Sequence, residues 1–156
     1  MDEFAPDEFV VDPDRDADLA TVVSAPDDDA LVRVVADLFA SMFGMELTAL
    51  PDGSLAAETE LGTLFVGVLS DFVVSLELRL AGHFRTTHEL LALLNDENAG
   101  SAFVTFSTLD ERLWVSGSVD GRPLVPAHLS RVLTYMVQAA AALTGEVTPD
   151  GPSRND

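Results

Sequence analysis

Apolar and polar positions along the chain fall into two periods. Three stretches repeat with a period of about 3.6 residues, the helical one. The first comprises Leu31, Val34, Val35, Leu38, Phe39 and Met42, the second Leu90, Leu91, Leu93 and Leu94, and the third Leu129, Val132, Leu133, Met136, Ala140 and Leu143. Such stripes predict amphipathic helices with one face on a core. Asp27, Asp28 and Asp29 stand before the first stripe, where side-chain oxygens cap free N–H groups and negative charge suits the helix dipole; Gly44 follows it. Arg33, Asp37 and Ser41 fall on its wet side. Thr86 and Glu89 have capping-box spacing ahead of the second stripe, which runs out between Asn95 and Gly100. Pro126 lies in the first turn of the third, where its missing N–H costs little, and Gly145 closes it.

Between the stripes the period drops to two. Phe72, Val74, Leu76, Leu78 and Leu80 alternate with Val73, Ser75, Glu77 and Arg79, a strand with one buried face. It pairs in a predicted hairpin with Thr63–Leu69 around Ser70-Asp71, and Ala102–Thr108 pairs with Glu111–Val119 around Leu109-Asp110. Leu55–Glu60 is a weaker strand, and Glu46–Leu50 a short candidate before the turn signal Pro51-Asp52-Gly53. The order α-β-β-β-α-β-β-α, with short hairpins, predicts an α+β fold built on an antiparallel sheet.

Pairing residue 69 with 72 sets Phe65 opposite Leu76 on the core face and gathers Leu64, Val66, Val68 and Val73 on the other. Placing 105 opposite 114 makes Phe103 and Trp114 diagonal neighbours on that second face. An apolar second face needs a cover: a helix or the N-terminal segment, a second subunit, or a client. Phe103, Trp114, Val66, Val68 and Val73 are therefore the candidate partner- or dimer-binding residues.

Composition narrows the partner. The chain has 156 residues, 47% of them hydrophobic, which suits one domain with a real core. Acids outnumber bases 27 to 8, for a net charge of -19, and every base is arginine. Nucleic-acid phosphates and anionic membranes need a basic footprint, so neither is expected as a partner. The charge is uneven: residues 1–29 hold eleven acids and one base, with prolines and no sustained apolar period. This reads as a disordered acidic arm over 1–27, a folded domain over 28–145 and a disordered tail over 146–156. The start MDEFAPDEF has acids where a secretory signal carries positive charge, so a cytoplasmic protein is expected.

Candidate chemistry is sparse. There is no cysteine, which removes disulfides, thiolates and zinc–thiolate sites. His83 and His88 are five apart, so they do not share a helix face as an i,i+4 pair does. No G-x-S-x-G elbow or phosphate loop occurs, and Asp28 and Asp29 lie in a solvated run unsuited to acid–base tuning. No catalytic residue, metal ligand or cofactor is expected, and the chain is read as a non-enzyme.

The stretch ELLALLNDENAG is a leucine-rich helix ending in two asparagines, Asn95 and Asn98, with Asp96 and Glu97 between them. It is followed by the hairpin AFVTFSTLDERLWVSGSVDG and the helix LSRVLTYMVQAAAAL. With the element order and acidity, this resembles the type III secretion chaperone-like fold, and within it the bacterial YbjN-like peptide-binding chaperones. The resemblance is densest from Glu89 to about Ala142. It implies a small acidic homodimer that holds a segment of another protein and uses no cofactor. The alternatives are a regulatory or structural subunit of a larger assembly, and a small-molecule or metal-binding enzyme.

Overall fold

The computed structural model describes residues 22–147; the rest of the expected arm and tail lies outside the described residues. Helix α1 (Asp28–Met42) opens the domain. Four strands follow: β1 (Thr48–Ala49), β2 (Leu55–Glu58), β3 (Gly62–Leu69) and β4 (Val73–Leu80), with a single 3-10 turn, Ser70–Phe72, between the last two. Then come α2 (His88–Ala99), β5 (Thr105–Leu109), β6 (Arg112–Asp120) and α3 (Pro126–Thr144). The predicted order holds, with β1 as the extra short strand. All six strands join one antiparallel sheet in the order β1-β2-β3-β4-β6-β5.

The helix stripes do what their spacing dictates. Leu31, Val35, Phe39 and Met42 of α1 are buried, and its N-cap Asp27 accepts a hydrogen bond from the Ala30 N–H at 2.8 Å. In α3, Leu129, Val132, Leu133, Met136, Ala140 and Leu143 are all buried. The N-cap of α2 is Thr87, one residue beyond the expected Thr86; its hydroxyl accepts from the Leu90 N–H at 3.1 Å. Apart from Met42 these stripe residues, with Leu90 and Leu94 of α2, join one cluster with Leu64, Val66, Val74, Leu76, Leu78, Leu113 and Val115, so all three helices serve the same sheet face. Gly117 lets α3 lie close on β6: a Cβ there would come within 2.6 Å of Val132 Cγ1.

The register of the first hairpin differs from expectation. Leu69 pairs with Val73 instead of Phe72, which puts Val66 opposite Leu76 and Phe65 opposite Glu77. Three residues make the turn instead of two, and Asp71 and Phe72 take left-handed φ of 68° and 63°. Tertiary contacts hold them there. The Phe72 N–H donates to Asp28 Oδ1 at 3.1 Å, its carbonyl accepts from the Gly121 N–H at 2.8 Å, and the Arg122 guanidinium lies 4.0 Å from its ring centroid. Because side chains alternate, a one-residue slip exchanges the faces of a whole strand.

Two further contacts fix the sheet's ends. Within the segment read as arm, Val23 forms an antiparallel bridge with Leu124, with two backbone hydrogen bonds of 2.8 Å. At the other edge, Asn98 of α2 holds β5 with both atoms of its amide. Its Nδ2 donates to the Phe106 carbonyl at 2.9 Å, and its Oδ1 accepts from the Phe106 N–H at 2.6 Å. Replacing Asn98→Ala strands both backbone groups. It should lower the unfolding free energy by about 1–3 kcal/mol, read as a lower urea midpoint at unchanged slope.

Candidate functional site

The sheet has a covered face and an open one. On the covered face lie Leu55, Leu64, Val66, Val74, Leu76, Leu78, Leu113 and Val115, each at most 7% exposed. Val66 is 1% exposed and Val68 is packed against the same cluster. The expectation that these two valines belong to a second, partner-facing surface is thus corrected: the three-residue turn sends them inward. Val73 does lie on the open face, opposite Asp120 of β6 and Leu69 of β3.

The open face centres on Phe65, Arg79 and Trp114. Arg79 and Trp114 stand opposite each other across β4 and β6. The Phe65 and Trp114 ring centroids are 5.7 Å apart, and the Arg79 guanidinium carbon lies 5.4 Å from the first and 6.0 Å from the second. A guanidinium over two ring faces is attracted by their quadrupoles. Around this island the face carries small hydroxyls, Ser75 of β4, Thr105 and Ser107 of β5, Ser116 and Ser118 of β6, and three acids, Glu58 of β2, Glu77 of β4 and Asp120 of β6. Three N–H donors in this region, Arg79 Nε, Arg112 Nε and Trp114 Nε1, are shut off from solvent yet have no hydrogen-bond partner among the described residues. Each such orphaned donor costs free energy that an incoming acceptor would recover.

Phe103 is elsewhere. The second hairpin pairs Thr105 with Ser116 and Ser107 with Trp114, two residues from the expected register. That shift keeps Trp114 on its expected face but leaves Phe103 outside β5. Its ring instead stacks on Tyr135 of α3, with centroids 4.8 Å apart and planes 4° from parallel. The two rings are 46% and 43% exposed, in a protein that buries most large apolar side chains. They border a cleft of about 560 Å³ between the end of α2, residues 100–104 and α3. Its lining includes the buried Val104 and Phe106, Ala139, and the acids Asp96 and Glu97. Those acids sit in the last turn of α2, where the free carbonyls add further negative potential. Sequence reasoning singled out Phe103 but missed Tyr135, whose place on the α3 stripe's exposed flank gives no signal until the fold brings Phe103 to it. Among the described residues, no three His, Cys, Asp or Glu side chains converge as metal ligands, and no helix is long and apolar enough to cross a membrane.

These placements separate core from surface in a measurable way. Val66→Ala should cost about 2 kcal/mol or more of stability. Phe103→Ala and Tyr135→Ala should each cost no more than about 1 kcal/mol. Urea unfolding of the three variants reads the difference.

Comparison with known proteins gives a consistent picture. Residues 29–149 match the family described as T3SS (YopN, CesT) and YbjN peptide-binding chaperone 1. Solved structures that share the fold include the following three. One is the Yersinia pestis type III secretion chaperone SycH in complex with a stable fragment of YscM2, 16% identical, with a TM-score of 0.55 over 70% of this chain and 97% of that one. Another is the ExsC–ExsE complex, 11% identical, with a TM-score of 0.55 over 79% of this chain and 94% of that one. The third is YbjN from E. coli, 15% identical, with a TM-score of 0.52 over 72% of this chain and 92% of that one. No functionally curated protein matches the sequence.

Proposed function

The chain belongs to the T3SS and YbjN peptide-binding chaperone family, and from that premise we propose that it is a non-enzymatic, chaperone-like module that holds a segment of a partner protein. The observation that carries this reading is the exposed Phe103–Tyr135 stack beside an apolar-floored cleft. Exposed aromatics rimmed by polar groups are the usual anchors of protein interfaces, because they bury much area at little entropic cost. SycH and ExsC, which share the fold, were each crystallised holding another protein. The cleft suits an apolar side chain entering over Val104 and Phe106. Asp96 and Glu97 favour a basic residue beside it. Trp114 and Val73, on the open sheet face, are no part of that cleft. The reading includes a cytoplasmic homodimer without a cofactor.

Binding of fluorescent peptides tests it. Peptides with an apolar core flanked by arginine should bind, and the same cores flanked by glutamate should bind at least tenfold more weakly. Phe103→Ala with Tyr135→Ala should reduce binding at least tenfold while the urea midpoint stays near that of the parent. Unchanged binding in that variant would remove the cleft from the site. A folded partner taken up in equal amount, with no affinity for extended peptides, would make the chain a subunit of a larger assembly instead. Sedimentation should give twice the 16.6 kDa chain mass; a single chain mass at micromolar concentration would count against the dimer.

A further inference from the structure

Strand β5 stops short of the strand it pairs with. β6 runs on to Asp120, but β5 begins at Thr105, opposite Ser116, so residues 117–120 have no strand partner on that side. The direction of the backbone groups alternates along a strand and can be followed here. The N–H and C=O of Phe106 point away from β6, to Asn98, so those of Thr105 and Ser107 point at Ser116 and Trp114. Two residues further along β6, the N–H and C=O of Ser118 point to the same side and meet a groove of about 370 Å³ instead of a strand. The groove is bounded by a strap, residues 101–104. The strap is lightly held: the Ser101 N–H donates to the Asn98 carbonyl and the Val104 N–H to Ser101 Oγ, each at 3.3 Å. The N–H and C=O of Phe103 have no hydrogen-bond partner among the described residues.

We infer that the strap is a switch: it zips onto β6 as a continuation of β5, with Phe103 opposite Ser118, and in doing so takes the aromatic cleft apart. Continuing the register of β5 by two residues gives that pair, of the kind that exchanges both backbone hydrogen bonds. The side chains agree with it. Thr105 and Ser107 lie on the open face and Phe106 is buried, so a continued strand keeps Val104 turned inward, where it is already buried. Phe103 turns to the open face, beside Ser75 and Ser116, whose small side chains leave room for a ring. The chain has the reach. Phe103 lies about 10 Å along the strand from Phe106, and the five residues from Asn98 to Phe103 span up to about 17 Å, so Asn98 keeps its grip on Phe106. Zipping is opposed by the half-exposed stack of Phe103 on Tyr135. One aromatic stack and two backbone hydrogen bonds are of similar strength, so a modest change at either shifts the balance. A peptide that contacts Phe103 in the cleft holds the strap off the sheet, and the zipped strap withdraws that ring from the peptide. The inference rests on the cleft reading for what the switch controls, and not for the switch itself.

Amide hydrogen exchange in the full-length protein tests the switch. Tyr135→Ala removes the stack and should slow exchange of the Ser118 and Phe103 N–H groups at least twofold, while Ser116, paired in either state, keeps its rate. Phe103→Leu, which retains an apolar side chain without the ring, should slow Ser118 in the same way. Ser118→Pro removes the donor that zipping needs, at a strand edge where proline is tolerated. Combined with Tyr135→Ala, it should cancel the slowing at Phe103. None of these measurements involves a peptide, so a failure of the cleft reading would show in peptide binding and not here. Exchange at Ser118 that neither Tyr135→Ala nor Phe103→Leu slows overturns the inference, because the strap then has one position. So does slowing at Phe103 that persists with Ser118→Pro, or slowing at Ser118 that grows with protein concentration, which would make a second copy the occupant of the groove.

Discussion

The three residues between β3 and β4 decide which side chains this protein keeps and which it presents. Asp71 and Phe72 adopt left-handed backbone, an uncommon state for residues with a Cβ and a costly one for an aromatic. The conformation is held from three directions: by the Asp28 carboxylate at the start of α1, by the Gly121 N–H after β6, and by the Arg122 side chain stacked on the Phe72 ring. The turn therefore couples the first helix, the central hairpin and the end of the last strand. With it in place Val66 enters the core and Phe65 meets Trp114; with a two-residue turn those roles would be exchanged.

Much of the fold is legible in the sequence because period is a local property. The α1 stripe is buried at Leu31, Val35, Phe39 and Met42 with Val34 and Leu38 at its half-buried margin, the α3 stripe is buried throughout, and the strands appear where alternation places them. Register is less legible. Phe72 continues the alternating run of β4, so nothing local marks it as a turn residue; only Asp28, Gly121 and Arg122, remote in sequence, make it one. In the second hairpin the slip was two residues, an even number, so the face of Trp114 is preserved while the position of Phe103 is not. Asn98 is visible as the end of a helix, but its bidentate grip on Phe106 depends on where α2 meets the sheet.

The protein's large negative charge is distributed differently over its two aromatic surfaces. At physiological salt, charges beyond about 8 Å are largely screened, so a bound segment senses the groups beside it more than the total of -19. Asp96 and Glu97 give the Phe103–Tyr135 cleft a negative rim. Arg79 and Arg112 share the open sheet face with Glu58, Glu77 and Asp120. Aromatic rings stand at both surfaces.

The grip of Asn98 on β5 has a consequence beyond stability. A sheet margin with free N–H and C=O groups is a growth front: an extended chain can add to it, then another to that, without limit. Here one margin is a strand of only two residues, β1, and on the other the outward groups of Phe106 are already occupied by a side-chain amide. Both margins are thereby blunted as templates for strand addition. An added strand would meet a ladder of two residues on one side and the Asn98 amide in its path on the other.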